Sequence, residues 1–201
     1  MNVSQPNRSN PRRDNLLSMK KLASGLAILL LAGAIHAQET NAFKTQIQSF
    51  EAQTNTILIK GIGPIGSISL TGATISVRCK QDIDVTHSTR QYGIVIDFSG
   101  EGISHQSAIV DDDELEPLVG GLDYLAKISA SASSLPVFEA GITTRSGLRV
   151  EANSNRRQSG ITYEIELDDH FRLSLSTDQV VQMENLVNQA KNYLNELKQA
   201  Q

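Results

Sequence analysis

Asp111-Asp-Asp-Glu-Leu-Glu-Pro-Leu-Val-Gly-Gly-Leu-Asp-Tyr-Leu-Ala-Lys-Ile128 is the stretch on which the fold of this 201-residue chain turns. Asp111 and Glu114 stand at the spacing of a capping box, in which one side chain serves a helix N-terminus and the other reaches back. Leu115, Leu118, Leu122, Leu125 and Ile128 follow at intervals of three and four, the stripe that one helical face presents to a core. Gly120-Gly121 lies inside that helix and costs about 1 kcal/mol per glycine relative to alanine, which predicts close packing or a bend there. Four carboxylates in a row could also hold a calcium ion. Here the chain enters a helix instead of looping back, and capping with the helix dipole already accounts for the acids.

The same signature returns 65 residues later. Ser176-Thr-Asp-Gln179 is a second capping box, and Val180, Met183, Val187, Ala190, Leu194 and Leu197 form the second stripe. At this offset Asp111 maps to Ser176, Glu114 to Gln179, Leu118 to Met183 and Leu122 to Val187. Ala108 and Val110 map to Leu173 and Leu175, so the strand faces before each cap match too. In the first half Thr56–Lys60, Ser67–Leu70, Ala73–Lys80, Tyr92–Phe98 and Ile103–Val110 read as strands by alternation and β-branched content. Gly61-Ile-Gly-Pro-Ile-Gly66 reads as a turn-rich break, and Thr71-Gly72 and Ser99–Gly102 as turns. In the second half Val137–Thr144, Leu148–Asn153, Ile161–Leu167 and Phe171–Leu175 read as strands. Ser146-Gly147 is a two-residue hairpin turn, Asn153–Gly160 a longer polar loop and Asp168-Asp169 a turn. Ser129–Ser134, followed by Pro136, links the halves. The prediction is an α+β fold of tandem units, each of about four antiparallel strands followed by one helix. They span residues 56–130 and 137–201 of one pseudo-symmetric domain, with Leu118 and Met183 pointing into the sheets.

Ahead of this lies Met19-Lys20-Lys21, then 13 mostly apolar residues from Leu22 to Ala34, then small residues. That is the layout of a secretory signal peptide over 19–37, and the run is shorter than the ~18 residues of a spanning helix. Cleavage fits after either Ala34 or Ala37. Residues 1–18 are polar and longer than a normal leading segment, so they read as an upstream extension with translation starting at Met19. Removal of residues 1–37 takes away five basic residues and one acid and moves the net charge from −4 to −8. The expected location is secreted or periplasmic, with no stable membrane span after cleavage. Residues 38–55 are polar, with Phe43, Ile47 and Phe50 spaced for a short amphipathic helix or a docking tail. The single Cys79 shares a strand face with Ile75 and Val77, which favours burial.

The order of elements resembles the Pur-alpha repeat and the Whirly proteins, a superfamily that binds single-stranded nucleic acid. Thr144-Arg-Ser-Gly-Leu-Arg-Val150, Phe171-Arg-Leu-Ser-Leu175, the polar cap and the long helix carry the likeness, which covers about Ala73 to Lys198. It implies strands curved around a helix, with repeats or chains paired through their helices: a compact pseudo-symmetric unit or a homodimer. Parts of the chain also resemble exported bacterial proteins with a similar Asp-Glu-Leu helix start, a family that brings no assigned activity. Fold likeness does not carry function. The acidic mature chain disfavours nucleic acid, and Tyr92, Phe98, Tyr163 and Phe171 are few as stacking platforms.

Two chemistries remain to weigh. Arg145, Arg149, Arg156, Arg157 and Arg172 gather in the second unit and form the candidate anion-binding set. Against them stand Glu139, Glu151, Glu164 and Glu166, which would make the same face a solvated, balanced surface. Ser99-Gly-Glu-Gly-Ile-Ser-His105 brings serine, glutamate and histidine together, the raw material of a hydrolase, without the strand–elbow–helix setting that orients a nucleophile. His87 and His170 also lie by turns. Gly61–Gly66 resembles a phosphate loop only in its glycines, because Pro64 lacks an amide donor and no lysine follows. The sequence therefore points to an exported, non-catalytic binding or assembly protein of unknown protein or ligand partner, with no cofactor or metal. A single-stranded nucleic-acid or polyanion binder and a hydrolase around His105 are the alternatives.

Overall fold

The computed structural model describes residues 44–155, 158–167 and 171–200. The predicted signal peptide and upstream extension, Phe43, Arg156, Arg157, the Asp168-Asp169 turn and His170 lie outside the described residues. A short helix, α1 (Gln46–Glu51), precedes strands β1 (Leu58–Leu70), β2 (Ala73–Asp84), β3 (Thr89–Gly100) and β4 (Ile103–Asp111). A 3-10 turn over Asp112–Glu114 leads into α2 (Leu115–Lys127). Strands β5 (Val137–Thr143), β6 (Leu148–Asn155), β7 (Gln158–Leu167) and β8 (Phe171–Leu175) follow, then α3 (Thr177–Gln199). Each group of four strands is an antiparallel meander, ordered β1-β2-β3-β4 and β5-β6-β7-β8. The fold is thus α+β with tandem strand units.

Three local expectations need correction. Gly61–Gly66 is no break: β1 runs through it, paired with β2 from Leu58↔Asp84 to Leu70↔Ala73. A bulge between Pro64 and Gly66 absorbs the proline, which an edge strand tolerates because its missing donor need not serve an inner ladder. The polar loop over Asn153–Gly160 is also shorter than expected, since β6 continues to Asn155 and β7 begins at Gln158. Finally, the β5–β6 turn spans three residues, not two. The Thr144 amide donates to Leu148 O at 2.8 Å and the Gly147 amide to Thr144 O at 2.9 Å, with Gly147 at φ +92°. A tight turn closed by a left-handed glycine is the usual three-residue solution, and here it places Arg145 at the tip.

The core is continuous across both sheets and both long helices. The inner faces supply Ile75, Val77, Ile94 and Ile96 from one sheet and Val150, Ala152 and Ile165 from the other. Phe98 and Phe171 meet at 5.0 Å between ring centres, joining the two sheets directly. Leu115, Leu118, Leu122 and Leu125 of α2 and Val180, Met183, Val187, Ala190 and Leu194 of α3 are all buried, as both stripes predict. What each stripe covers is less obvious. Helix α3 lies closest to β1, β2 and β3, whereas α2 lies closest to β5 and β6. Leu186 of α3 sits over Gly66, the Cys79 thiol points at Ala190 O, and the Gln179 side chain donates to Ser69 O. Gly121 of α2 meets Ile142 so closely that a Cβ there would collide with its side chain. Each half therefore lends its helix to the sheet of the other. The helices run in opposite directions, with Lys191 on Glu116 and Lys198 on Asp112, both at 2.5 Å.

Helix α1 covers the other face of the first sheet. Its Ile47 and Phe50 are buried, and Gly93 of β3 leaves room for the Ile47 side chain. Thr45 and Gln48 complete a capping box at its start.

Candidate binding surface

The described arginines of the candidate anion set are each claimed by carboxylates. Arg145, at the tip of the β5–β6 turn, bonds Asp111 Oδ2 at 3.0 Å and also Asp113, and Glu114 lies at 3.9 Å. The Asp113 carboxylate bonded to it raises the pKa of the guanidinium, with Glu114 and Asp111 adding to the effect. Arg149 pairs with Glu139 and Glu151, and Arg172 with Glu164 and Glu166. The register explains this: Arg149 faces Glu166 and Glu166 faces Arg172 across three strands, with Glu151 opposite Glu164 two residues away. Burial pushes the Glu151 carboxyl up, against the pull of Arg149. Arg145 is thus drawn toward the start of α2 and away from the sheet face that holds Arg149 and Arg172.

His105 lies on the outer face of β4 with its side chain 67% exposed and Nε2 3.5 Å from Asp97 Oδ1. Asp97 is itself held by Arg78 Nε at 2.6 Å. His87 has the tighter partner, with Nδ1 2.6 Å from Asp84 Oδ2. Burial would raise the Asp84 carboxyl, but hydrogen bonds from Thr56, His87 and Thr86 outweigh it and hold Asp84 below the usual carboxylate range. This arrangement closes the β2–β3 turn.

Ionic groups also fasten α1. Glu51 reaches Lys60 at 2.8 Å and Lys80 at 2.7 Å, and Lys80 reaches Asp82 at 3.2 Å. Burial works to raise the Glu51 carboxyl, yet the two ammonium groups outweigh it and hold it at about 2. Burial pushes the Asp82 carboxyl up, with Lys80 pulling the other way.

The apolar surface has a clear centre. Ile57, Ile59, Ile62, Val85 and Tyr193 are five of the nine large hydrophobic residues left exposed among those described. Four of them sit on or beside β1, the free edge of the first sheet, and Tyr193 of α3 leans over Gly63. Beside Ile62 and Tyr193 opens a cleft of about 220 Å³, also lined by Gly61, Gly63, Cys79, Leu194 and Leu197. Burial pushes the Cys79 thiol up to about 11, so it lines the cleft as a small apolar group.

No protein-family model, curated protein or solved structure matches this chain. The surface must therefore be read from its own residues. Sequence reasoning misses it because the glycines and proline of Gly61–Gly66 signal a turn, which hides the alternation of Ile59, Gly61 and Gly63 along one strand face. The signal that could have found it is the isoleucine spacing across that glycine run, unbroken by any acid.

Proposed function

We propose that this protein is a non-catalytic binding or assembly module that acts outside the cytoplasm after loss of its signal segment. The supporting observation is the exposed β1 edge, which leaves Ile57, Ile59 and Ile62 in solvent beside Val85, with the cleft under Tyr193 opening further along the same strand at Gly61–Gly63. An apolar strip of this kind on an otherwise charged surface marks an interaction site. An unpaired strand adds backbone donors and acceptors, so an extended segment can join the sheet while its side chains enter the cleft. The test is retention from extract of the protein's own compartment, comparing wild type with Ile57→Glu/Ile62→Glu. Specific retention that the double variant loses supports the reading. Retention by neither protein, or equally by both, overturns it.

A further inference from the structure

We infer that β1 pairs with itself: two copies of the chain join antiparallel through Ile59–Gly63 about a two-fold axis at Gly61. This rests on the assembly reading above and names the partner as a second identical chain. In an antiparallel pair related by a two-fold axis, facing residues lie equally far from the axis and point to the same side of the sheet. With the axis on Gly61, Ile59 faces the second copy's Gly63 and Lys60 faces its Ile62. Ile59, Gly61 and Gly63 share the side of Cys79, since they pair with Ile83, Gln81 and Cys79. That is the side of the cleft. Gly63 has no side chain, and the nearest atom to a Cβ built there is Tyr193 Cε1 at 4.0 Å. The isoleucine of one copy is thus the knob and the glycine of the other the hole, twice over. On the opposite side Ile62 lies along the aliphatic stem of the second copy's Lys60. An axis on Lys60 would instead set two ammonium groups face to face, which is unfavourable.

Charge selects the same edge. The chain is acidic, yet no Asp or Glu occurs between Glu51 and Asp82. Two copies approaching through β1 bring no acid against acid. The usual guards of a free edge are also placed to permit a short contact. Lys60, the single charge on β1, is turned onto Glu51 at 2.8 Å, and Pro64 with its bulge ends the regular strand just beyond Gly63.

Sedimentation of the purified protein is expected to give the mass of two chains, and Ile59→Glu/Ile62→Glu to halve it with an unchanged circular dichroism spectrum. Gly61→Cys supplies a second readout. A Cβ there makes only ordinary contacts, the closest at 3.5 Å, and the axis sets the two thiols opposite each other. Mild oxidation should convert it to a disulfide-linked dimer, while the exposed control Leu135→Cys stays unlinked. A monomeric wild type, a dimer indifferent to the double glutamate variant, or equal linking of the two cysteine variants overturns the inference. A monomer that still retains a partner from extract overturns self-pairing alone and leaves the binding reading intact.

Discussion

The Asp111 carboxylate accepts the Gln46 amide on Oδ2 at 2.7 Å, tying β4 to a helix 65 residues upstream. Its other oxygen takes the Ile47 amide at 3.1 Å, and Arg145 adds a third bond. The Asp111 amide meanwhile donates to Glu114 Oε2 at 3.3 Å, which is the reach-back of the predicted capping box. One buried residue thus joins the start of α1, the start of α2 and the β5–β6 turn.

Asp111→Ala should therefore destabilise the protein by about 3 kcal/mol, because it strands two helix-terminal amides and takes one of the carboxylates from Arg145, which keeps Asp113. Arg145→Ala should cost about 1 kcal/mol, since the guanidinium is over a third exposed and its pairs are screened. Urea denaturation midpoints of the two variants test the order. Equal losses would mean that Asp111 acts only through Arg145.

The adjacent glycines of α2 should respond in opposite directions. Gly120 faces open space, so Gly120→Ala should stabilise by up to about 1 kcal/mol through helix propensity. Gly121 abuts Ile142, so Gly121→Ala should destabilise by about 1–2 kcal/mol net as α2 is pushed off β5. Thermal melts of the two single variants check this. The sequence showed a costly glycine pair, but only the packing assigns the cost to Gly121.

Acid should loosen α1. The folded pKa of Glu51 is about 2, below its ordinary value of 4.5. A lowered carboxyl favours the folded state above the unfolded pKa, and that gain is lost as pH falls from about 4.5 toward 2, on the order of 2 kcal/mol in all. Asp82 is raised and has the opposite sign, so its contribution improves as it is protonated. Glu51→Gln should be less stable than wild type at neutral pH, and the two should converge toward pH 2. Denaturation across that range decides it; a constant gap would refute the linkage.

Cys79 should be silent toward thiol reagents in the folded protein. It is buried beneath α3 with its thiol raised to about 11, so little thiolate forms at pH 8. Labelling with a maleimide should follow global unfolding and accelerate with denaturant. Rapid labelling of the native protein would show that α3 lifts from β2 on its own.

Legibility in the sequence tracked the range of the interaction. The capping boxes at Asp111 and Ser176 and the stripes through Leu118 and Met183 were readable because their partners lie within one or two helical turns. Gly61–Gly66 reads as a turn because glycine and proline signal turns by local preference, whereas a ladder to β2 and the cover of Leu186 hold it extended. The arginines of the second unit were readable as a cluster. The pairing of Arg149 and Arg172 depends on cross-strand register, and that of Arg145 on acids more than 30 residues away.

Residue order alone determined the class of this protein: alternating strands in two groups, each closed by a capped amphipathic helix. Only the tertiary structure decided that the helices trade sheets, that Asp111 serves α1, and that β1 is left as an apolar edge beside a cleft. The reason is that periodicity records which side of an element avoids water. It carries no label for the distant surface that will exclude that water, which is chosen by the packing of the whole chain at once.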